Sequence, residues 1–331
     1  GATLEGSILV RTSSIAGAIL AVALAVPGAA SAQKTIAIAS FGEHPTLDQA
    51  RDGFKAELSR LGYQEGRDVV YTFGHGNFNP ALIPQILAQQ EARNPALMLT
   101  ITTPVTQAAR TVVKNTQMPI VFAAVVDPVR AQLVPAWEKG SDRMVGASNF
   151  QDLGGVMRFA KMLLPNAKSV GVPFNPGEAN DVAQVEHMKG VAAGLGLTLR
   201  SVPVDSLGDI GPRVQSLRGV DFIYLLNSNL LMPAHPAVAS AAAQINTPLI
   251  SANPDPVLNH SALGSFTVSY PRIGAAAARL ADQILKGKKP SELANYRPAF
   301  EDHEPKISAK QMSRYKIQLP AELANCNCVL N

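Results

Sequence analysis

The chain has 331 residues, of which 47% are hydrophobic and 16% are charged. This balance suits a folded protein with a sizeable core and about two domains, and it excludes a disordered chain. The 29 basic and 25 acidic residues leave a net charge of +4. Since the basic residues are scattered along the sequence, they do not form the clustered basic face of a nucleic-acid-binding protein, and we expect no nucleic-acid partner.

The first 32 residues have the pattern of a secretory signal peptide. Arg11 precedes an uninterrupted run of apolar and small residues from Ile15 to Val26, and the small-residue sequence Ala30-Ser31-Ala32 follows it. The run is shorter than the about 20 apolar residues that a membrane-spanning helix needs. We therefore expect residues 1–32 to be a cleavable signal peptide and the mature protein to be periplasmic.

After this segment, short apolar runs of strand length alternate with helical patterns. The first helical pattern, Leu47–Leu61, has apolar residues every three or four positions and ends at Gly62, a typical C-cap residue. Strands are predicted at 35–39, 69–73, 97–101, 120–126, 169–172, 198–202, 222–226, 249–251 and 264–268. Helices are predicted at 47–61, 80–90, 105–114, 153–164, 179–195, 210–217, 234–245 and 273–285.

Strands that are apolar throughout and separated by helices indicate parallel sheets covered on both faces. The pattern occurs as two successive series, the second of which starts after Val145. The predicted fold class is therefore α/β, with two doubly wound α/β lobes.

Polar loops that carry proline or asparagine follow many of the predicted strands. They lie at 40–45, 102–104, 127–128, 174–180, 227–229 and 252–256. Ligands of open α/β sheets bind beyond the carboxyl ends of the strands, so two facing lobes would bring these loops to one cleft. The same residue types also suit turns and helix N-caps, and for any single loop that explanation is favoured.

The sequence contains no common catalytic motif that such a fold would accommodate. It has no G-x-S-x-G and no G-x-x-x-x-G-K-[ST], and its six histidines are dispersed without metal-ligand spacing. Glu43 and His44 beside Asp48 could form an acid–base group, but a turn and a helix N-cap explain them better. We expect a binding protein, with no enzymatic activity, no metal and no cofactor.

Both cysteines, Cys326 and Cys328, lie within the last six residues. They are only two positions apart and poorly placed to bridge each other in an extended tail, and no histidine lies near them for a metal site. We expect residues 321–331 to be a frayed C-terminal tail.

Several short stretches occur in order between about residues 34 and 320. They include Glu43-His-Pro-Thr-Leu-Asp48, Thr102-Thr-Pro-Val-Thr-Gln-Ala108, Val126-Asp-Pro128, Val170-Gly-Val-Pro-Phe-Asn-Pro176 and Glu178-Ala-Asn180. At these stretches the chain resembles the periplasmic solute-binding components of ABC transporters with the type I fold, and within them the branch that includes tryptophan- and tyrosine-binding proteins.

The resemblance implies two lobes joined by three crossing strands that close on a small ligand in the cleft between them. Lobe 1 would comprise residues 34–147 plus 268–298, and lobe 2 residues 148–267 plus 299–320. The implied partners are a small-molecule ligand and the ABC permease subunits in the inner membrane, and we expect a monomer. An exported sensor that hands its ligand to a receptor or sensor kinase is the alternative.

The strand-end loops supply the candidate ligand-binding residues. Thr102, Thr103 and Pro104 begin a helix whose N–H groups suit a carboxylate, although proline is also common in the first turn of any helix. Asp127 could accept from an ammonium group or cap its own turn. Phe41 and Phe174 could sandwich an apolar ligand or pack in the cores. The full predicted set is Phe41, Glu43, Thr102, Thr103, Pro104, Asp127, Phe174, Asn175, Glu178, Asn180, Asn227, Asn229 and Asp255.

Two departures from the family concern the identity of the ligand. Where many relatives show Thr-Asp-Asn this chain has Asn227-Ser-Asn229, and where they often have Asp-Tyr it has Ser269-Tyr270. Two carboxylates that could meet an amino group are thus neutral here, and Asp255, between two prolines, suits a rigid turn equally well. We expect an amino-acid-like ligand or a small aromatic or aliphatic carboxylate, with an uncharged polar solute as the alternative.

Overall fold

The computed structural model describes residues 1–3 and 32–331, and residues 33–331 form one compact unit. The predicted signal peptide lies almost wholly outside the described residues. Within the described part of the chain, no helix has the length and apolar character needed to cross a membrane.

Strands and helices alternate along residues 34–330. The strands are β1 (Lys34–Ser40), β2 (Val69–His75), β3 (Leu97–Ile101), β4 (Ile120–Val125), β5 (Met144–Ser148), β6 (Ser169–Phe174), β7 (Thr198–Pro203), β8 (Phe222–Leu225), β9 (Leu249–Ser251), β10 (Gly264–Val268), β11 (His303–Ser308) and β12 (Val329–Leu330). The helices are α1 (Pro45–Arg60), α2 (Ile83–Glu91), α3 (Thr103–Val112), α4 (Leu153–Leu163), α5 (Ala179–Gly194), α6 (Ile210–Gln215), α7 (His235–Gln244), α8 (Asp255–Leu258), α9 (Tyr270–Leu285) and α10 (Ala309–Tyr315).

The strands form two sheets, and each sheet with its helices is called a lobe here. Lobe 1 contains a parallel five-stranded sheet in the order β2-β1-β3-β4-β5. Lobe 2 contains a seven-stranded sheet in the order β12-β11-β10-β9-β8-β6-β7. In it β11 runs antiparallel to β10, and the strands from β10 to β7 are parallel. The predicted fold class, two α/β lobes, is confirmed.

The chain passes between the lobes three times. It leaves lobe 1 after β5, returns after β10 to form α9, and crosses again before β11. Tyr296 still bridges to Ala147 of lobe 1 just before this last passage. The predicted lobe boundaries, 147/148, 267/268 and 298/299, stay predictions.

Helix α9 packs against α1 on one face of the lobe 1 sheet. Side chains of both helices share a core cluster with β1, β3 and β4. The two helices approach so closely that a Cβ atom on Gly274 would collide with the carbonyl oxygen of Ala50. Only glycine allows this approach, which brings the first turns of α9 against α1.

The C-terminal segment departs from the expectation of a frayed tail, which is wrong. Cys326 and Cys328 form a disulfide with their Cα atoms 5.0 Å apart, and β12 pairs with β11. The intervening Asn327 adopts φ 55°, a conformation that asparagine tolerates and that turns the chain back on itself. The tail therefore packs on lobe 2, where Cys328 is 6% exposed.

Candidate functional site

The lobe 1 wall of the cleft is formed by the carboxyl ends of β3 and β4. Thr102 follows β3 with φ 88° and ψ 158°, a region normally restricted to glycine, and its carbonyl accepts from the N–H and hydroxyl of Thr106. Thr103 then begins α3. The side chains of Thr102 and Thr103 are both 2% exposed, and neither Oγ1 atom has a hydrogen-bond partner. The wall thus presents two free hydroxyls at the N-terminus of a helix.

The lobe 2 wall is formed by the start of α5 and the loop after β8. Glu178 precedes α5, and its carboxylate accepts five N–H groups, from Asn175 Nδ2, Asn180 Nδ2, Asn229 N, Asn229 Nδ2 and Leu230 N, at 2.9–3.2 Å. Asn180 Nδ2 also donates to Asp181 and to the Asn227 carbonyl. Asp181 is fully buried, and burial together with the neighbouring Glu178 raises its pKa.

Asn149 and Tyr270 lie where the chain passes between the lobes. Asn149 Nδ2 donates to the Tyr270 hydroxyl at 2.9 Å, and this hydroxyl donates to Asn227 Oδ1 of lobe 2 at 3.2 Å. Burial raises the pKa of Tyr270, so its hydroxyl keeps its proton at neutral pH. The three side chains connect both lobes at the floor of the cleft.

These walls enclose a central cavity of about 10 Å³. It is lined by Leu47, Thr102, Thr103, Ala124, Val126, Asn149, Asn180, Asn227, Ser228, Asn229, Met232 and Tyr270. A second pocket of about 220 Å³, which shares Val126 with the cavity, lies between Asp127 and Arg130 of lobe 1 and Gln184 and His187 of lobe 2.

The central cavity concentrates unpaired polar atoms. Ten buried side-chain nitrogen and oxygen atoms of the described residues lack a partner, and four of them, Thr102 Oγ1, Thr103 Oγ1, Asn149 Oδ1 and Asn180 Oδ1, belong to residues that line this cavity. A buried polar group without a hydrogen bond costs about 1–3 kcal/mol. Four such groups from both lobes and a crossing segment therefore indicate a site for a polar ligand.

The structure brings five of the residues predicted from sequence to the central cavity. They are Thr102, Thr103, Asn180, Asn227 and Asn229. Pro104 lies in the first turn of α3, beside them in sequence but outside the lining. Asp127 lines the adjoining pocket, where its Oδ1 also caps the turn by accepting from the N–H groups of residues 129 and 130.

The other predicted residues lie outside the cavity lining. Phe41 is 4% exposed and packs edge-on against Phe78 in lobe 1, and Phe174 packs on the lobe 2 core. The Glu43 side chain is 60% exposed. Asn175 and Glu178 hold the lobe 2 wall together from behind, since Asn175 Oδ1 accepts from Gly177 N and its Nδ2 donates to Glu178.

Asp255 connects the two lobes at the rim of the cleft. Its Oδ2 accepts from Thr46 Oγ1 of lobe 1 at 2.6 Å and lies 3.6 Å from His44 Nδ1. The His44 ring packs edge-on against His235 of lobe 2, with centroids 6.2 Å apart. Burial lowers the pKa of both histidines, although the nearby Asp255 carboxylate partly offsets this by raising the pKa of each. These contacts join lobe 1 to lobe 2. His44 also caps α1, as its position predicts, by accepting from Thr46 N.

Sequence reasoning missed the parts of the site that depend on β5 and α9. Asn149 follows β5, which was not predicted, and the apolar run 144–147 with a polar residue after it was the available signal. The sequence comparison at Ser269-Tyr270 concerned only the serine, which replaces the aspartate of many relatives, and not the tyrosine. Leu47, Ala124, Val126 and Met232, apolar residues from three separate segments, meet at the cavity only through the tertiary fold. Among the described residues no group of three potential metal ligands lies together.

Comparison with known proteins identifies the family. The family model for ABC transporter substrate-binding proteins matches residues 35–326. A tyrosine-binding protein of Clostridioides difficile is 29% identical over 262 residues, which cover 79% of this chain and 75% of that protein.

Three solved structures are similar along nearly their whole length. A conserved domain protein of Vibrio cholerae is 31% identical, with a TM-score of 0.84 over 90% of this chain and 99% of that one. An ABC domain of Streptococcus pneumoniae in complex with L-Trp is 25% identical, with a TM-score of 0.84 over 90% and 100%. A ligand-free, open substrate-binding protein of Clostridium difficile is 26% identical, with a TM-score of only 0.70 over 90% and 99%.

The TM-score to the open structure, 0.70, is lower than the 0.84 to the L-Trp complex, although the sequence identities are similar. This difference agrees with the contact between Thr46 of lobe 1 and Asp255 of lobe 2 in the present structure. The matched family and these relatives are substrate-binding proteins and not enzymes. The chain belongs to the ABC transporter substrate-binding proteins, with the type I fold and relatives among the tyrosine and tryptophan binders.

Proposed function

We propose that this chain is the periplasmic binding component of an ABC importer. It closes its two lobes on a small amino-acid-like or carboxylate solute and delivers that solute, as a monomer, to permease subunits in the inner membrane. The observation that carries the proposal is the set of four unpaired, buried polar atoms on residues that line one cavity between the lobes.

The lobe 1 wall suits a carboxylate. The first N–H groups of a helix have no intrahelical partner and carry a positive partial charge. Thr102 and Thr103 add two hydroxyl donors beside the start of α3. A carboxylate at this position would satisfy both hydroxyls, which otherwise stay buried without partners.

The remaining wall of the cavity suits an apolar portion of the ligand. Leu47, Val126, Met232 and the ring of Tyr270 line it. Tyrosine and tryptophan, which relatives bind, combine a carboxylate with a large apolar group. The adjoining 220 Å³ pocket provides space for such a group next to the central cavity.

Closure follows from the same geometry. A cavity of about 10 Å³ has room for about one water molecule, so a solute binds with the lobes further apart than they are in this structure. In this structure Met232 of lobe 2 packs into the lobe 1 core cluster, and Thr46 donates to Asp255. A ligand that contacts both walls only in the closed form shifts the equilibrium towards closure.

A thermal-shift panel on residues 33–331, purified through unfolding and refolding, tests the proposal. The panel contains the amino acids, aromatic and aliphatic carboxylates, and sugars. A ligand at about 1,000 times its dissociation constant stabilises by about 4 kcal/mol, which moves the midpoint by several degrees. Stabilisation by sugars alone, or by no compound, would contradict the proposed ligand class.

A substitution in the lobe 1 wall tests the site itself. We expect Thr103→Val to weaken binding of the identified carboxylate about tenfold, because one hydrogen bond to a charged group is lost, without lowering the melting temperature. Thr111→Val is the matched control, since its exposed hydroxyl lies on the same helix and bonds only to the Ala108 carbonyl. Equal affinities of the two variants would place the carboxylate elsewhere.

A further inference from the structure

A cation lies over two aromatic rings where the chain passes between the lobes. The Arg297 guanidinium carbon is 4.6 Å from the ring centroid of Trp137 and 4.6 Å from that of Phe150. The two rings meet edge to face, with their centroids 6.0 Å apart. No acidic side chain of the described residues forms an ion pair with Arg297, so the electron-rich faces of the two rings are what attracts its charge.

Trp137 and Arg297 are both fixed on the lobe 1 side by a buried asparagine. Asn295, which is 7% exposed, donates its backbone N–H to the Trp137 carbonyl at 2.9 Å, and its Nδ2 donates to two further carbonyls of the same loop. Its Oδ1 accepts from the N–H of Gly146 in β5 at 3.1 Å. The loop that carries Trp137 and the segment that carries Arg297 are therefore attached to the same edge of the lobe 1 sheet.

Phe150, in the first passage between the lobes, is anchored to lobe 1 as well. Its N–H donates to Ser148 Oγ at 2.8 Å, and this hydroxyl donates to the carbonyl of Val126, just after β4, at 2.7 Å. The Phe150 ring lies edge-on to the ring of His187 on α5, with the centroids 5.4 Å apart. Phe150 therefore extends an aromatic ring from the lobe 1 side to a helix of lobe 2.

His187 connects this contact to the lobe 2 wall of the central cavity. It lies on α5 seven residues after Asn180, which lines the cavity, and positions seven apart share one face of a helix two turns along it. Burial lowers the pKa of His187, so its ring is neutral at neutral pH and packs as an aromatic group. A contact that holds α5 at His187 also holds the end of the helix that carries Asn180.

We propose that Arg297 is a positioning residue for closure of the lobes, a role that rests on the proposed function. Together with Trp137 it holds the Phe150 ring in the orientation that meets His187 when lobe 2 approaches lobe 1. The completed contact then stabilises the closed form by fixing α5 against lobe 1. Arg297 acts through Phe150, because it lines neither the central cavity nor the adjoining pocket.

The rate of ligand dissociation tests this role, with L-tyrosine as the probe and the fluorescence of Trp137, the single tryptophan of the chain, as the signal. Arg297→Met keeps a side chain of similar length without the charge. We expect L-tyrosine to dissociate about fivefold faster from this variant, as for a lost cation–ring contact, and its association rate to change less than about twofold. Arg297→Lys, which retains the cation without the flat guanidinium, should lie between the two proteins.

Two further variants separate positioning from a general loss of structure. Arg314→Met removes another exposed cation over a ring, 5.3 Å from that of Tyr315 in lobe 2, and should leave both rates unchanged. His187→Ala removes the partner of Phe150 in lobe 2. In the His187→Ala background Arg297→Met should change the dissociation rate by less than about twofold, because the two residues act through one contact.

A measurement on the ligand-free protein makes the outcome independent of the ligand. Spin labels at Gln89→Cys of α2 and Arg213→Cys of α6, both exposed positions, report the distance between the lobes. The two native cysteines are joined in a disulfide, so the labels attach at the introduced cysteines. Arg297→Met should lower the ratio of closed to open molecules about fivefold, and Arg314→Met should leave it unchanged.

The results distinguish the role of Arg297 from the proposed function. If L-tyrosine does not bind the wild-type protein while Arg297→Met still shifts the ligand-free ratio, the positioning role stands and tyrosine is not the ligand. If Arg297→Met equals the wild-type protein in its dissociation rate and in its distance distribution, the positioning role is overturned, while the proposed function stands. An undiminished effect of Arg297→Met in the His187→Ala background would also overturn it, because Arg297 would then act through another contact.

Discussion

The two walls of the cleft obtain their shape from different sources, the lobe 1 wall from its backbone and the lobe 2 wall from buried side chains. In lobe 1, Thr102 directly after β3 has φ 88°, and Ala124 in the neighbouring strand β4 has φ 56°. In lobe 2, Glu178 joins the start of α5 to the loop after β8 through five hydrogen bonds. Removing the Glu178 side chain should therefore lower the free energy of unfolding, whereas removing the Thr102 side chain should relieve strain and leave that free energy nearly unchanged.

The largest effect is expected in the lobe 2 wall. Glu178→Ala should lower the free energy of unfolding by about 3 kcal/mol, because it leaves several buried N–H groups without an acceptor. Chemical denaturation of the ligand-free protein measures this. Glu43→Ala is the control, since that glutamate also follows a strand but its side chain is 60% exposed. Similar losses for both variants would show that the Glu178 network does not hold the wall.

A smaller difference in the free energy of unfolding is expected between two glycine substitutions in the lobe 1 wall. Thr102→Gly should change the free energy of unfolding by less than about 0.5 kcal/mol, because glycine relieves the strained φ and so offsets the lost side-chain burial. The adjacent Thr103, at the first helical position, has no such strain, and Thr103→Gly should cost about 2 kcal/mol. Equal losses in the same denaturation experiment would mean that the backbone of Thr102 stores no strain.

The smallest effect concerns the rim, where both walls meet through His44, His235 and Asp255. Burial lowers the pKa of both histidines in the closed form, despite the opposing effect of Asp255 and, on His44, of Asp48. As the pH falls below about 6.5, the histidines therefore take up protons more readily in the open form than in the closed form. The closed form then loses stability relative to the open form.

Ligand affinity measured between about pH 8 and pH 5.5 tests this dependence. The wild-type affinity should fall towards acid pH, and a His44→Gln/His235→Gln protein should show a shallower fall. His75→Gln, outside the rim and 3.6 Å from Glu43, should retain the wild-type slope. A double variant with an unchanged slope would assign the pH dependence to other groups, of which His187, whose pKa burial also lowers, is one.

The alternating apolar runs predicted most of the fold because buried parallel strands carry a strong local signal. β3 occupies the predicted residues 97–101, and the other predicted elements lie within a few residues of their expected ends. β5 was missed because its apolar run, 144–147, is short and follows β4 without a helix between the two strands. β11 was missed because it pairs antiparallel near the sheet edge, where Glu304 and Pro305 are tolerated.

The candidate site was predictable only in part because its chemistry depends on distant contacts. That polar loops follow β3, β6 and β8 is evident from local patterns, and Thr102, Asn180 and Asn227 lie in them. Which atom of Asn180 faces the cavity depends on Glu178, Asp181 and a carbonyl 47 residues away. Whether the two terminal cysteines could bond depended likewise on a single left-handed residue between them.

The close crossing of α1 and α9 has a consequence for the order in which the protein folds. Helix α9 belongs to the lobe 1 core, yet all of lobe 2 except β11, α10 and the C-terminal segment precedes it in the chain. A nascent chain that ends before residue 270 exposes the apolar face of α1 that α9 covers. Lobe 1 therefore matures only after most of lobe 2 has been synthesised, and contacts this far apart in sequence make its completion a slow step.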